Sequence, residues 1–313
     1  MHRDILIAVG GGILSAVASM TIVLGLPGAL VFAYLAPLPV MMVGLTLGLR
    51  MATVAAAAGF VIAGMVGSTF NAGLYGLINA VPAVLLVRYA LSAETAPDGS
   101  AQWASAGVVV SWLAVLAAGL FMIAGFTVFG SETGIEDEIY GKLSQALALM
   151  APALDEGRRT IIVSGLAAIF PGALGTSWIF MIAANGVLAQ RLAKKLGKNL
   201  RPTPSYRGLT LPDWISWFVV GSAFLALIGS GDLEYMGRNL AMITATPFFF
   251  LGLAIIHSVA RFVNFPTAML VGTYVALLMS SWAAIVVAGV GIVEQWYNLR
   301  QRLPALSRNE ENE

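Results

Sequence analysis

The sequence predicts an all-α protein, a polytopic transmembrane helical bundle of about eight to ten spans. Three observations predict it. The chain is 58% apolar and only 11% charged, whereas a soluble domain carries roughly 25% charged residues. Uncharged stretches such as Ile5–Leu24, Trp103–Phe129 and Ile161–Val187 exceed the roughly 18 residues that need a bilayer rather than a protein core. The charges gather instead in short clusters between these stretches, as connecting loops require. The expected organisation is one integral membrane domain over 1–313. It divides into helices in 1–129, an external acidic loop at 130–159, and further spans in 160–300 with a cytoplasmic basic loop at 191–211.

Taken in order, Ile5–Leu24 reads as the first span. Ala16-Val17-Ala18 imitates a signal-peptidase site, but apolar sequence continues to Leu49, so the segment is kept as a membrane helix. Gly25-Leu26-Pro27-Gly28 signals a turn, and Pro37 and Pro39 follow. Leu30–Leu35 is therefore expected to dip into the protein before a second span over Val40–Leu49. Ala52–Val66 and Asn71–Leu91 are the next spans, a polar loop occupies 92–102, and Trp103–Phe129 is the fifth span. Glu132, Glu136, Asp137, Glu138, Asp155 and Glu156 make 130–159 acidic. Apolar residues at helical spacing around Lys142 predict an amphipathic helix near 139–154 on the outer face.

The sixth span, Ile161–Val187, contains Pro171, which is expected to kink it. After it come Arg191, Lys194, Lys195, Lys198, Arg201 and Arg207 with no acidic residue among them. Trp214–Leu227 and Leu240–Val259 read as the seventh and eighth spans. Pro266–Trp296 is too long for one straight crossing at about 1.5 Å per residue, and Ser280-Ser281 offers a reversal that would make two helices of it. With the amino terminus cytoplasmic, the inner side holds Arg3, Arg50, Arg88, the basic run and Arg261. The outer side holds Lys142, Arg158, Arg159 and Arg238. Arg300, Arg302 and Arg308 join the inner side only if the last run is a hairpin, giving ten spans. A single last span gives nine spans and an external tail.

Composition also excludes functions. Net charge near zero is not the footprint of a nucleic-acid binder. The chain has no Cys and only His2 and His257 as imidazoles, which removes thiol chemistry and a histidine-rich metal site. No serine elbow, zinc-protease helix or phosphate loop is present, so neither an enzyme nor a cofactor is expected.

Polar side chains within spans are the candidate site residues, because an unpaired polar group in hydrocarbon costs several kcal/mol. Asn71, Tyr75 and Asn79 continue one helical face, and Thr176, Ser177, Trp178 and Asn185 lie in the sixth span. Tyr75, Asn79, Trp178 and Asn185 could line a pocket for an unidentified small molecule, or the Asn residues could bridge neighbouring helices. Glu234 and Arg238, four apart, form either a helix-surface pair or a gate over an outward-facing cavity. Gly12 and Ala16, beside Gly11, Ser15 and Ser19, make a small-residue face that lets a helix approach closely, within the chain or from a partner.

Three stretches carry a resemblance. They are Asn185 with Arg207-Gly208-Leu209-Thr210-Leu211-Pro212-Asp213-Trp214, then Asn239 with Phe248–His257, then Gly291-Ile292-Val293-Glu294-Gln295-Trp296 before Arg300. With these the chain resembles the YybS-like family of uncharacterised bacterial membrane proteins, a domain-of-unknown-function family. That family is distantly similar to the S components of energy-coupling factor transporters, which usually have six spans and capture vitamins or metal ions. The resemblance implies a solute-capturing protein of the bacterial inner membrane, energised by a membrane coupling subunit and an ATPase. In S components an Ala-x-x-x-Ala face on the first helix docks the coupling subunit, and Gly12 and Ala16 approximate it. The rival expectation is a non-transporting scaffold or assembly factor. Its basic loop, with Lys194, Lys195 and Lys198, would dock a cytoplasmic partner or anionic membrane lipid.

Overall fold

A computed structural model describes residues 2–96, 99–130 and 133–300. Glu132, Arg302 and Arg308, used in the charge reading above, lie outside the described residues. The chain is a helical bundle: α1 His2–Met20, α2 Ala29–Tyr34, α3 Leu38–Leu47, α4 Leu49–Val66, α5 Thr69–Tyr75 and, after a π turn at Gly76–Ala80, α6 Val81–Ala90. There follow α7 Ala106–Phe126, α8 Gly134–Met150, α9 Glu156–Ala167, α10 Phe170–Lys195, α11 Ile215–Ile228, α12 Asp232–Val259, α13 Pro266–Met279 and α14 Ser281–Tyr297. Within the polar loop 92–102, β1 Ala93–Thr95 and β2 Ala101–Trp103 form a small antiparallel hairpin. Seven helical stretches among the described residues are long and apolar enough to cross a membrane, and α11 and α13 are shorter apolar helices.

The residues group into two compact units. One runs to Leu113 and adds Ile179–Thr210, while the other comprises Ala114–Trp178 and the residues from Leu211 on. In the first unit, α1 and α4 run parallel in close contact. A Cβ on Gly12 would lie 2.1 Å from the carbonyl oxygen of Ala55, so glycine is what allows the two backbones to meet. Ala16, Met20, Ala63, Tyr75 and Ala80 form the adjoining core. The stretch expected to dip is the first part of a single apolar stretch, Ala29–Leu47. Pro37 interrupts it between α2 and α3 because proline cannot donate an N–H.

In the second unit, α12 is the central helix. It starts eight residues before the expected Leu240, at Asp232, directly after Gly231 with φ +57°. Asp232 and Glu234 in its first turn complement the helix dipole. Antiparallel to its first half lies α11, where a Cβ on Gly237 would lie 2.3 Å from the nitrogen of Ala226. Antiparallel to its second half lies α14, and there the fit is reciprocal. A Cβ on Gly252 would lie 1.9 Å from Val287 O, and one on Gly291 would lie 1.9 Å from Phe248 O.

Two expectations change here. Ile161–Val187 is not one kinked span. Instead α9 ends at Ala167 and α10 begins at Phe170, because Pro171 removes an N–H and its ring crowds the carbonyl four residues back. The long last run does break at Ser280, whose backbone is extended (φ −148°, ψ 125°), but the two pieces are unequal in role. The start of α14 sits level with the last turns of α12, since Val287 meets Gly252. The end of α13 is joined to it there, so α13 returns to that same end of α12 and leaves only α14 to run back along it.

Candidate functional site

The first two turns of α12 place Asp232, Tyr235 and then Arg238 and Asn239 at helical spacing on one face. Asp232, Tyr235 and Asn239 each tie down the end of another helix, where backbone groups lack partners of their own, while Arg238 pairs with side chains. Asp232 accepts hydrogen bonds from the N–H of Ile135 at 2.7 Å and of Gly130 at 3.1 Å, capping α8 from outside. Gly134 (φ +77°) permits this, because its Cβ position lies 3.1 Å from an Asp232 oxygen. Tyr235 is buried, and its hydroxyl donates to Ala167 O at the end of α9 at 2.7 Å. Asn239, fully buried, donates to Ala168 O at 3.2 Å and accepts from Gly172 N–H in the first turn of α10 at 2.8 Å. Arg238 reaches Glu136 on α8 at 3.0 Å and Glu234 on its own helix at 3.6 Å, with its guanidinium 5.5 Å from the Tyr235 ring centre.

Between these ties lies a cleft of about 510 Å³, within the size range of small-molecule sites. Glu136, Asp137 and Tyr140 of α8 line it, with Glu234, Tyr235 and Arg238 of α12 opposite. Ile135, Tyr235 and Met236 form a small apolar cluster that joins the two helices beside it. Its lining residues offer carboxylates, phenols and one guanidinium, with no imidazole or thiol among them. Such a wall can hold a polar solute through hydrogen bonds and ring contacts.

The residues singled out in the sequence are placed differently. Tyr75 is buried, and its hydroxyl donates to Ser15 Oγ at 2.8 Å, which donates to Ala36 O at 2.5 Å. Asn185, 2% exposed, donates to Tyr34 O at 2.7 Å and to Met181 O at 2.9 Å. Tyr34 and Ala36 flank the break before Pro37, so these side chains serve carbonyls that the interrupted helix leaves exposed. Asn79 sits in the π turn three residues ahead of Pro82. There it makes only a 3.5 Å contact with Ser19 Oγ, and its carbonyl oxygen lacks a partner. Among the described residues no hydrogen bond joins Asn185 to Tyr75 or Asn79. Trp178 lies half-buried on α10 in the other unit. Gly12 and Ala16 are turned towards α4 within the chain. Lys194, Lys195 and Lys198 are exposed at the end of α10 and just beyond it, while Arg201 from the same basic run is buried.

Sequence reasoning noticed Glu234, Arg238 and Asn239 but placed them ahead of the span, read Asp232 only as a residue at a span end, and passed over Tyr235. The three- and four-residue spacing in Asp232-x-x-Tyr235-x-x-Arg238-Asn239 was the available signal. The apolar, many-helix architecture and the match to known families agree. The sequence matches the family described as predicted membrane protein (DUF2232) over residues 13–294. The chain belongs to the DUF2232 family. No curated protein and no solved structure matches it.

Proposed function

We propose that this DUF2232 protein is the small-solute-binding component of an uptake system in the bacterial inner membrane. The observation that carries this reading is the cleft of about 510 Å³ held open by α12. Its walls are helix ends fixed by Asp232, Tyr235 and Asn239, which is the preorganisation that binding requires. On the charge reading, the segment containing α8 and α9 lies outside, where an imported solute would arrive. Glu234 and Arg238 then serve as the rim of that site. Transport energy comes from a separate membrane subunit and ATPase, since the sequence carries no phosphate-binding loop.

A thermal-shift screen of detergent-purified protein against vitamins, nucleobases, amino acids and metal ions tests this. A ligand at a hundred times its Kd should stabilise the fold by about 2.7 kcal/mol. Asp137→Asn and Tyr140→Phe, which change cleft side chains without touching the helix ties, should weaken the shift. A flat screen on folded protein, or a shift unchanged by both substitutions, would overturn the assignment. The rival reading, a scaffold that docks a cytoplasmic partner, draws on the exposure of Lys194, Lys195 and Lys198. It predicts that charge reversal at these three positions releases co-purifying proteins.

A further inference from the structure

We propose that the cationic end of the first unit is a preorganised platform for anionic phospholipid headgroups. Helix contacts bring the cations of this unit together. Because α1 and α4 are parallel, Arg3 and Arg50 share an end. Gly44 meets both Val87 and Ala52, which adds Arg88, and Leu200 N–H donates to Leu45 O at 3.1 Å, which adds the basic run. The described part of the unit thus carries Arg3, Arg50, Arg88, Arg191, Lys194, Lys195, Lys198, Arg201 and Arg207 against only Asp4 and Glu94. No charged residue occurs in 20–37 or 64–79, which form the other end.

Charge alone would orient the protein without further structure. Here the loop carrying the charge is also pinned. Arg201, 5% exposed, donates to Ala90 O at 2.7 Å, Ala104 O at 3.3 Å and Pro202 O at 3.3 Å, and lies 5.7 Å from the Trp103 ring centre. Its own carbonyl accepts from Gln190 at 3.1 Å and Asn199 at 2.8 Å. Burial lowers the Arg201 pKa from its ordinary value, a desolvation cost that the carbonyl acceptors offset. This anchoring fixes the backbone that carries the neighbouring cations.

The last turns of α10 divide into three sectors at about 100° per residue. Ala189, Gln190 and Ala193 are buried, Arg191, Lys194 and Lys195 are exposed, and Leu188 and Leu192 are exposed on the adjoining sector. Leu196 and Leu200 continue the apolar exposure, at 61% and 47%. Leucines beside lysines at the end of a membrane helix match the boundary between acyl chains and phosphates. An acidic protein surface would match the lysines but leave the leucines in water.

The experiment measures melting temperature in neutral maltoside micelles doped with phosphatidylglycerol, phosphatidylcholine or neither, with inorganic phosphate as a separate arm. Phosphatidylglycerol should raise the Tm in a salt-sensitive way, and phosphatidylcholine should not. Lys194→Gln/Lys195→Gln/Lys198→Gln should lose at least half of that rise, whereas Lys142→Gln, in the other unit, should keep it. Equal rises from both lipids, an undiminished rise in the triple variant, or a rise reproduced by inorganic phosphate would each overturn the proposal. Capture of polyglutamate without any lipid-specific rise would overturn it in favour of an acidic protein partner.

Discussion

Asp232, the first residue of α12, caps α8 through the backbone N–H of Ile135 at 2.7 Å. The residue preceding α8, Thr133, makes no side-chain cap of its own. One helix therefore completes another that lies about a hundred residues earlier in the sequence.

Removing that cap should loosen α8 without unfolding the chain. Asp232→Ala is expected to cost about 1 kcal/mol, the usual value of a lost amino-terminal cap. Hydrogen exchange should accelerate over 134–150 and stay unchanged in α4. Uniform acceleration through both helices would mean that the cap supports the whole fold instead.

The Arg238 bridge is a weaker tie. Arg238 and Glu136 are 37% and 44% exposed at their side chains, so solvent and salt screen the pair, and its coupling should fall within about 0.2–1 kcal/mol. A double-mutant cycle with Arg238→Gln and Glu136→Gln measures it. A coupling that survives high salt would show the pair to be shielded in solution.

Glycine substitutions should divide sharply by position. Gly252→Ala and Gly291→Ala each force a methyl group against a carbonyl oxygen at 1.9 Å. Each should cost about 1–3 kcal/mol as overpacking, with α14 displaced from α12. Gly272 and Gly289, with nothing within 4 Å of a Cβ, should accept alanine with equal or higher Tm, since alanine is the better helix former by about 1 kcal/mol. Melting curves of the four variants decide the matter.

The two buried asparagines of the first unit should behave differently. Asn185→Leu leaves the part-buried Tyr34 O without its 2.7 Å donor and the buried Met181 O without its 2.9 Å donor, and losing partners for shielded carbonyls should cost about 1–3 kcal/mol. Asn79→Leu gives up a single 3.5 Å contact and should leave the stability within about 1 kcal/mol of wild type, the net worth of an ordinary hydrogen bond. Similar losses from both would assign Asn79 a structural share that its hydrogen bonds do not display.

The class of protein and most helix positions were legible in the sequence. Hydrophobic runs and their polar punctuation are local properties, and the bilayer reads them locally. It also located the basic run and the charged residues near the start of α12. Tertiary structure alone decided how those side chains are used. Arg201 and Lys198 are alike in a charge count, yet one is buried against Ala90 and the other faces outward. Asp232 looks like a turn residue until α8 is beside it, and Tyr75 and Asn185 look like a pocket until Ser15 Oγ accepts from the first and Tyr34 O, beside the broken helix at Pro37, accepts from the second. Hydrogen-bond partners far apart in sequence are fixed only when helices pack, because an exposed carbonyl at a helix end takes whichever donor the fold brings within about 3 Å.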